Sequence, residues 1–355
     1  MTGLRPYTEE TFADACEASF SRFGEGVRSQ MERMLQNPLR SVCAEAGDVA
    51  YENDVSVGFQ AAILRKIYMG QVPFLGVVGG MLAMKEGASP VLLLQLMKKT
   101  IAPRGGSVLF WGNTSNQQSM KLNRALGVSG QGPDSCACVR WRPIHWGNFA
   151  DFCLRGRLPR FVRGVGNVLG RIFNVFFFRR VHSKNTQAVS FGTIDTRIFN
   201  TFWQRYLNAN SGLVSSRTAE ELHWLYDEGL ANGRYVLLGR EGLKGLCGYI
   251  VLRRASARSG RWILVDWIAL DNDLDVLSDL LYDAVRFLQK KADAAVLESI
   301  GFPPRVQTIL HRHLPFTRKS RNNTFIYKVT ASATQLDMDY DKGWFFGPYD
   351  GDRCM

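Results

Sequence analysis

Two carboxylates are placed where they could take a proton. Asp266 lies inside the apolar run Ile263-Leu264-Val265-Asp266-Trp267-Ile268. A charged group there is drawn partly out of water, which suits a general base. A structural aspartate hydrogen-bonded to a neighbouring loop would show the same pattern. Glu298 stands at the end of the strand-like run Ala294–Ser299, as a base facing a substrate or as a solvated strand end. A second set of residues could meet an anion. Lys85-Glu86-Gly87-Ala88-Ser89-Pro90 joins an apolar run to a helical one, and backbone N–H groups at a helix start bind phosphate. Asn116 could add a hydrogen bond or simply cap the helix that follows it. Lys121 could reach a phosphate or remain a solvated surface lysine. Cys136, Cys138, His145 and Cys153 suggest a metal, but Cys-x-Cys departs from the usual Cys-x2-Cys knuckle and no second pair follows. His311 and His313 share no helix face and take no role.

Elements able to hold these groups alternate along the chain. At 355 residues and 46% apolar, the sequence has room for about two domains with cores of their own. Helical spacing covers Thr8–Phe20 and Gly26–Leu35, where Asn37-Pro38 stops it. Strand-like runs follow at Ser41–Ala46, Val55–Tyr68 and Val72–Met84, then a helix at Val91–Thr100. Val108–Trp111 reads as a buried strand, Gln117–Leu126 as a helix ended by Gly127, and Cys136–Trp141 as a strand.

The second half repeats this order. Helices are expected at Phe199–Leu207 and Ala219–Glu228, the latter with Thr218 and Glu221 spaced as a capping box. Strands are expected at Arg234–Arg240, Leu246–Arg253 and Trp262–Leu270, and a long amphipathic helix at Leu274–Lys291. The strand at Ala294–Ser299, a helix at Pro304–His313 and a strand at Thr324–Val329 complete it. Such a doubled order argues for an α/β chain with two mixed sheets.

The charge balance, 44 basic against 32 acidic residues, points to an anionic partner: a nucleotide cofactor, nucleic acid, an acidic glycan or a membrane surface. No zinc-finger, RNA-recognition or helix-turn-helix pattern is present, so no specific nucleic acid is expected. The polar stretch Met1–Phe20 lacks a signal-peptide pattern, and the seven scattered cysteines read as reduced thiols of a cytoplasmic chain. The basic charge concentrates mid-chain. From Phe152 to Ile194 there is no acid, while Arg155, Arg157, Arg160, Arg163, Arg171, Arg179, Arg180 and Lys184 accompany apolar residues at helical spacing. Such a segment either packs its apolar side on the two domains or lies on an anionic membrane, at the inner face.

The element order, present twice, resembles the GNAT acyltransferase fold. Asn113-Thr114-Ser115-Asn116 after a buried strand, then a helix ending at Leu126-Gly127, looks like the family's late segment. Gly245-Leu246-Cys247-Gly248-Tyr249 resembles its third strand and Trp262–Leu270 its fourth. Trp344-Phe345-Phe346 and Asp350-Gly351-Asp352 resemble the tail of tandem GNAT-like proteins that accompany surface-polysaccharide genes. The resemblance implies two tandem domains, 1–147 and 191–335, joined by the basic amphipathic linker 148–190 and followed by a tail, 336–355. It implies transfer from acetyl-CoA or a longer acyl-CoA to an amino group, on a small molecule, a glycan or a lipid-linked precursor. The donor would meet Leu82, Met84, Gly87, Ala88, Ser89, Asn116 and Lys121, with Asp266 and Glu298 as bases.

Three departures qualify that pattern. The loop Lys85–Pro90 lacks the family's usual arginine and repeated glycine. Its counterpart Asp271-Asn272-Asp273-Leu274-Asp275 sets three acids where phosphate would lie. The family's general-acid tyrosine is replaced by Asn123 and Leu310. Fem-type aminoacyl transferases, which share the doubled fold without the CoA loop, and a non-catalytic binding protein are the competing implications.

Overall fold

The computed structural model describes residues 2–24, 26–114, 117–128, 130–132, 138–177, 186–255, 260–319 and 324–329. The chain opens with β1 (Gly3–Pro6), α1 (Phe12–Phe23), α2 (Val27–Leu35), β2 (Gly47–Glu52), β3 (Val55–Met69) and β4 (Val72–Met84). Then come α3 (Pro90–Ile101), β5 (Leu109–Thr114), α4 (Gln117–Ala125), β6 (Gly130–Gln131), β7 (Cys138–Pro143), α5 (Trp146–Cys153) and α6 (Arg160–Phe177). The next stretch holds β8 (Gln187–Phe191), α7 (Thr196–Ala209), β9 (Leu213–Ser215), α8 (Ala219–Ala231), β10 (Tyr235–Gly242) and β11 (Gly245–Arg254). Last are β12 (Arg261–Ala269), α9 (Leu274–Gln289), β13 (Val296–Ile300), α10 (Gln307–His313), β14 (Phe316–Lys319) and β15 (Thr324–Val329).

These elements form two compact units that do not follow the halves of the sequence. The first gathers Met1–Ala137, Ser211–Leu225 and Arg321–Met355; the second gathers Cys138–Asn210 and Tyr226–Ser320. The expected boundary at 147/148 differs because β7, read as the closing strand of the first domain, pairs with β13 and β14 in the second unit. In exchange β15, from the far end of the chain, pairs with β5 and β6 in the first. An alternating pattern marks a strand but does not choose its neighbour. The stretch expected as a linker, 148–190, is also part of the second unit: α5 packs on α6 and β8 pairs with β10.

In the first unit the sheet runs β1-β2-β3-β4-β5-β15-β6, with β9 added on the far end of β3. The long β3–β4 hairpin turns at Gly70, whose φ of 60° favours glycine. The strand expected over Ser41–Ala46 is a single 3-10 turn, Pro38–Ser41, and a loop. Asn37 dictates this, accepting from the Leu39 N–H at 2.9 Å and donating to the Leu64 carbonyl at 2.8 Å. Leu92 and Leu96 of α3 pack on Ala50 and Val57 of the sheet. Tyr7 meets Phe59 edge-on and ties α2 through the Met31 carbonyl. At α8 the Thr218 hydroxyl accepts from the Glu221 N–H at 3.4 Å, half of the expected capping box. The Glu221 carboxylate turns instead to the buried Arg65, at 3.8 Å.

The second unit has the order β14-β7-β13-β12-β11-β10-β8. Neighbouring residues of β12 point to opposite faces. Trp267 goes to α9, its indole donating to the Leu277 carbonyl at 2.9 Å. Asp266 goes to the side of α7, where Phe199 and Phe202 meet Tyr249 edge-on. Trp267 is fully buried, and truncating such a side chain costs about 3–5 kcal/mol.

Candidate functional site

In the first unit β4 and β5 run parallel and pair only from Gly76–Gly79 to Leu109–Gly112. A Cβ on Gly112 would come within 2.7 Å of the Gly79 carbonyl oxygen, so the strands meet closely and then part. Beyond that point β4 continues to Met84, with no further pairing to β5 among the described residues. A bulge accompanies the parting. Phe59 pairs with Ala83 and Ala61 with Gly80, so Met81 and Leu82 together oppose Gln60, and Met81 adopts φ 47°. The result is a slot between the end of β4 and β5. At its end Gly87 turns the chain at φ 81°, and Ser89 caps α3, accepting from the Val91 N–H at 3.3 Å. Pro90 at the first helical position has no N–H to satisfy. Lys85 reaches away to Glu17, at 2.6 Å.

The second unit repeats the figure with different polar groups. β12 and β13 pair in parallel from Arg261–Leu264 to Val296–Ser299, and β12 then runs on to Ala269 with no further pairing to β13 among the described residues. A bulge at Val265 lies between the pairs Val251–Asp266 and Leu252–Leu264. Beside it Asp266, 1% exposed, accepts from the Tyr249 hydroxyl at 2.8 Å and from the Trp267 N–H at 3.0 Å. The helix start is closed by a carboxylate: Asp273 accepts from the Asp275 and Val276 N–H groups at 2.8 and 3.1 Å. An anion arriving there would face that charge where the helix dipole otherwise attracts it.

No family model and no curated protein matches the chain. Solved structures do. A GCN5-related N-acetyltransferase from Anabaena variabilis is similar with a TM-score of 0.56 at 11% identity, over 93% of this chain and 73% of that one. Saccharomyces cerevisiae N-myristoyltransferase with bound myristoyl-CoA is similar with a TM-score of 0.53 at 13% identity, over 93% and 81%. A tandem GNAT protein of the clavulanic acid biosynthesis pathway is similar with a TM-score of 0.50 at 11% identity, over 93% and 98%. The chain carries the tandem GNAT fold. At these identities the likeness speaks for the fold and leaves the chemistry to the residues.

Leu82 and Met84 lie on β4, Gly87 and Ala88 in the loop that follows, and Ser89 at the cap of α3. Asn116 lies outside the described residues. Lys121 is exposed on α4. Asn123 is buried and donates to the Ser119 carbonyl at 2.8 Å. Leu310 is buried as well.

Glu298 differs from expectation. Arg261 holds its Oε2 at 2.6 Å and Arg318 its Oε1 at 3.0 Å, so both oxygens are engaged by guanidinium groups. It ties β13 to the arginines of β12 and β14. Reading by spacing missed Tyr249, which pairs with Asp266 only because the bulge sets both on one face. It also missed a buried contact of Ser278 Oγ with His313 Nε2 at 2.8 Å. Burial, with Arg142 and Arg312 nearby, pushes the His313 pKa down to about 4. His145 is turned to the Lys291 carbonyl at 3.1 Å, and Cys153 is exposed.

The second unit also holds an open cleft of about 950 Å³. It is lined by residues of α5 and α6 and by Gly260 and Ala295, at the starts of β12 and β13. That is the opposite end of the parallel pair from the place where the strands part. Its Asp151 is already engaged by Arg163 at 3.2 Å and by the Leu158 N–H at 2.9 Å. Size and backbone geometry thus point to different places, and the geometry carries more chemistry.

Proposed function

We propose that the chain transfers an acyl group from an acyl-CoA to an amine, with the donor seated in the slot of the first unit. One observation carries this reading: β4 and β5 part directly ahead of a helix start capped by a neutral hydroxyl. An extended arm containing amides can pair with such edges as an added strand. A diphosphate at its end would lie over Gly87, Ala88, Ser89 and the first turn of α3. Acyl-CoA combines both features. In the transfer, the amine attacks the thioester carbonyl, the carbon–sulfur bond breaks, and CoA leaves as a thiol while the amine gives up one proton. In the second unit Asp266 has the surroundings of a proton acceptor of its own, being a buried carboxylate on a bulged strand with a phenol at 2.8 Å. The similarity to an enzyme solved with myristoyl-CoA supports the donor class. An acceptor amine on a glycan or lipid-linked precursor rests on the tail motif Trp344–Asp352, which lies outside the described residues.

Thermal unfolding with acetyl-CoA and longer acyl-CoAs tests the proposal. Ligand at a hundred times its Kd should add about 2.7 kcal/mol of stability, and Gly87→Glu should abolish the shift. No shift at millimolar ligand would sink it. The carboxylate cap of α9 favours a donor without a diphosphate in the second unit, such as aminoacyl-tRNA. Retention of charged tRNA on a filter, without any CoA effect, would bring that reading forward.

A further inference from the structure

Helix α6 packs its small and polar side inward and leaves its apolar side uncovered. Against α5 it presents Arg163, Gly166, Asn167 and Gly170. A Cβ on Gly147 would lie 1.8 Å from the Arg163 carbonyl oxygen, and one on Gly170 would lie 2.1 Å from the Trp146 ring. Asn167 Oδ1 accepts from the Gly147 and Asn148 N–H groups at 2.7 and 3.1 Å. The opposite side carries Phe161, Val162, Val165, Val168, Leu169 and Ile172, between 43% and 81% exposed. At about 100° per residue these six share roughly a third of the helix circumference. Arg160 and Arg171, about three turns apart, lie along one edge of that arc, and both are exposed. Arg155 and Arg157 are exposed just ahead of the helix.

A continuous apolar stripe of this kind marks an interaction surface. Its surroundings define the partner. No acid occurs from Phe152 to Ile194, so the charges that α6 and the segment ahead of it bring to this side are basic. Antiparallel pairing of two copies through this side would set the Arg160–Arg171 edge against itself, which like charge opposes. Among the described residues no helix is long and apolar enough to cross a membrane. We propose that α6 is a membrane-docking helix lying in the plane of an anionic phospholipid surface. Its apolar side enters the acyl-chain boundary, and Arg155, Arg157, Arg160 and Arg171 meet lipid phosphates.

Flotation of the full chain with vesicles tests this. The chain should float with phosphatidylcholine–phosphatidylglycerol vesicles and much less with phosphatidylcholine alone, and raised salt should weaken the binding. The double variant Phe161→Ser, Leu169→Ser should lose at least about tenfold in affinity. Arg160→Gln and Arg171→Gln should each lose about fivefold and flatten the salt dependence. All four side chains are exposed, so the unfolding midpoint should not move, and neither should the acyl-CoA shift. The membrane reading and the donor reading can therefore fail separately. Absent flotation, equal flotation with neutral vesicles, an unaffected double variant, or a dimer in light scattering that the double variant dissolves would each overturn the proposal.

Discussion

The two units share one backbone figure and differ in the charges set upon it. In both, two parallel strands pair over four residues and part beside a bulge, and the longer strand leads on to a helix. In the first, Ser89 caps that helix with a hydroxyl, and the bulged strand carries only apolar residues, Met81 to Met84. In the second, Asp273 caps it with a carboxylate, and the bulged strand carries Asp266 hydrogen-bonded to Tyr249. A duplicated scaffold can thus keep its shape while its two copies carry different polar groups. Backbone hydrogen bonds set the figure, and one or two side chains set what it attracts.

Acid should separate the units most. His313 of the second unit faces Ser278, Arg142 and Arg312, and its pKa of about 4 lies below the ordinary 6.5. Between these values the unfolded chain binds a proton that the folded unit refuses. Stability should therefore fall by about 3 kcal/mol as pH drops from 6.5 to 4 and level off below. Urea unfolding across that range should show the slope in the parent and lose it in His313→Gln. Next, Asp266→Ala should cost about 1–3 kcal/mol, since it takes the carboxylate away from the buried Tyr249 hydroxyl. An unchanged midpoint in urea unfolding would mean that the contact is worth little and would weaken the polar contrast between the units.

Glu298→Ala should cost about 2 kcal/mol, since it strips a buried carboxylate from two arginines. The rate per folded molecule should stay unchanged. Its counterpart near the first slot, the exposed Lys85–Glu17 pair, should be worth less than about 1 kcal/mol when Glu17 is replaced by alanine. A rate loss at Glu298 with intact stability would restore it as a base. Last is the swap of caps, read on binding rather than on stability. Ser89→Asp should weaken acyl-CoA binding by about tenfold in calorimetry, because it gives the first slot the charge of the second. An unaltered Kd would mean that the cap does not discriminate between them.

Short-range pattern determined much of this protein. The long apolar runs of β3 and β4, the helix starts at Ser89 and Asp273, the burial of Asp266 and the doubled element order follow from local periodicity and capping. These are decided by residues a few positions apart, so they can be read along the chain. What depends on distant partners could not be read. Both β7 and β15 read as strands, but their exchange between units is a choice of neighbour. Glu298 looks like a strand-end carboxylate until folding brings Arg261 and Arg318 to it, from 37 and 20 residues away. One extra residue at Val265 decides which face Asp266 shares with Tyr249. The spacing of α6 announces an amphipathic helix, but only its glycine-to-backbone contact with α5 shows that the apolar side is the one left outside. In each case the sequence sets what a segment is able to do, and tertiary contacts, made over distances no local pattern encodes, select among the possibilities.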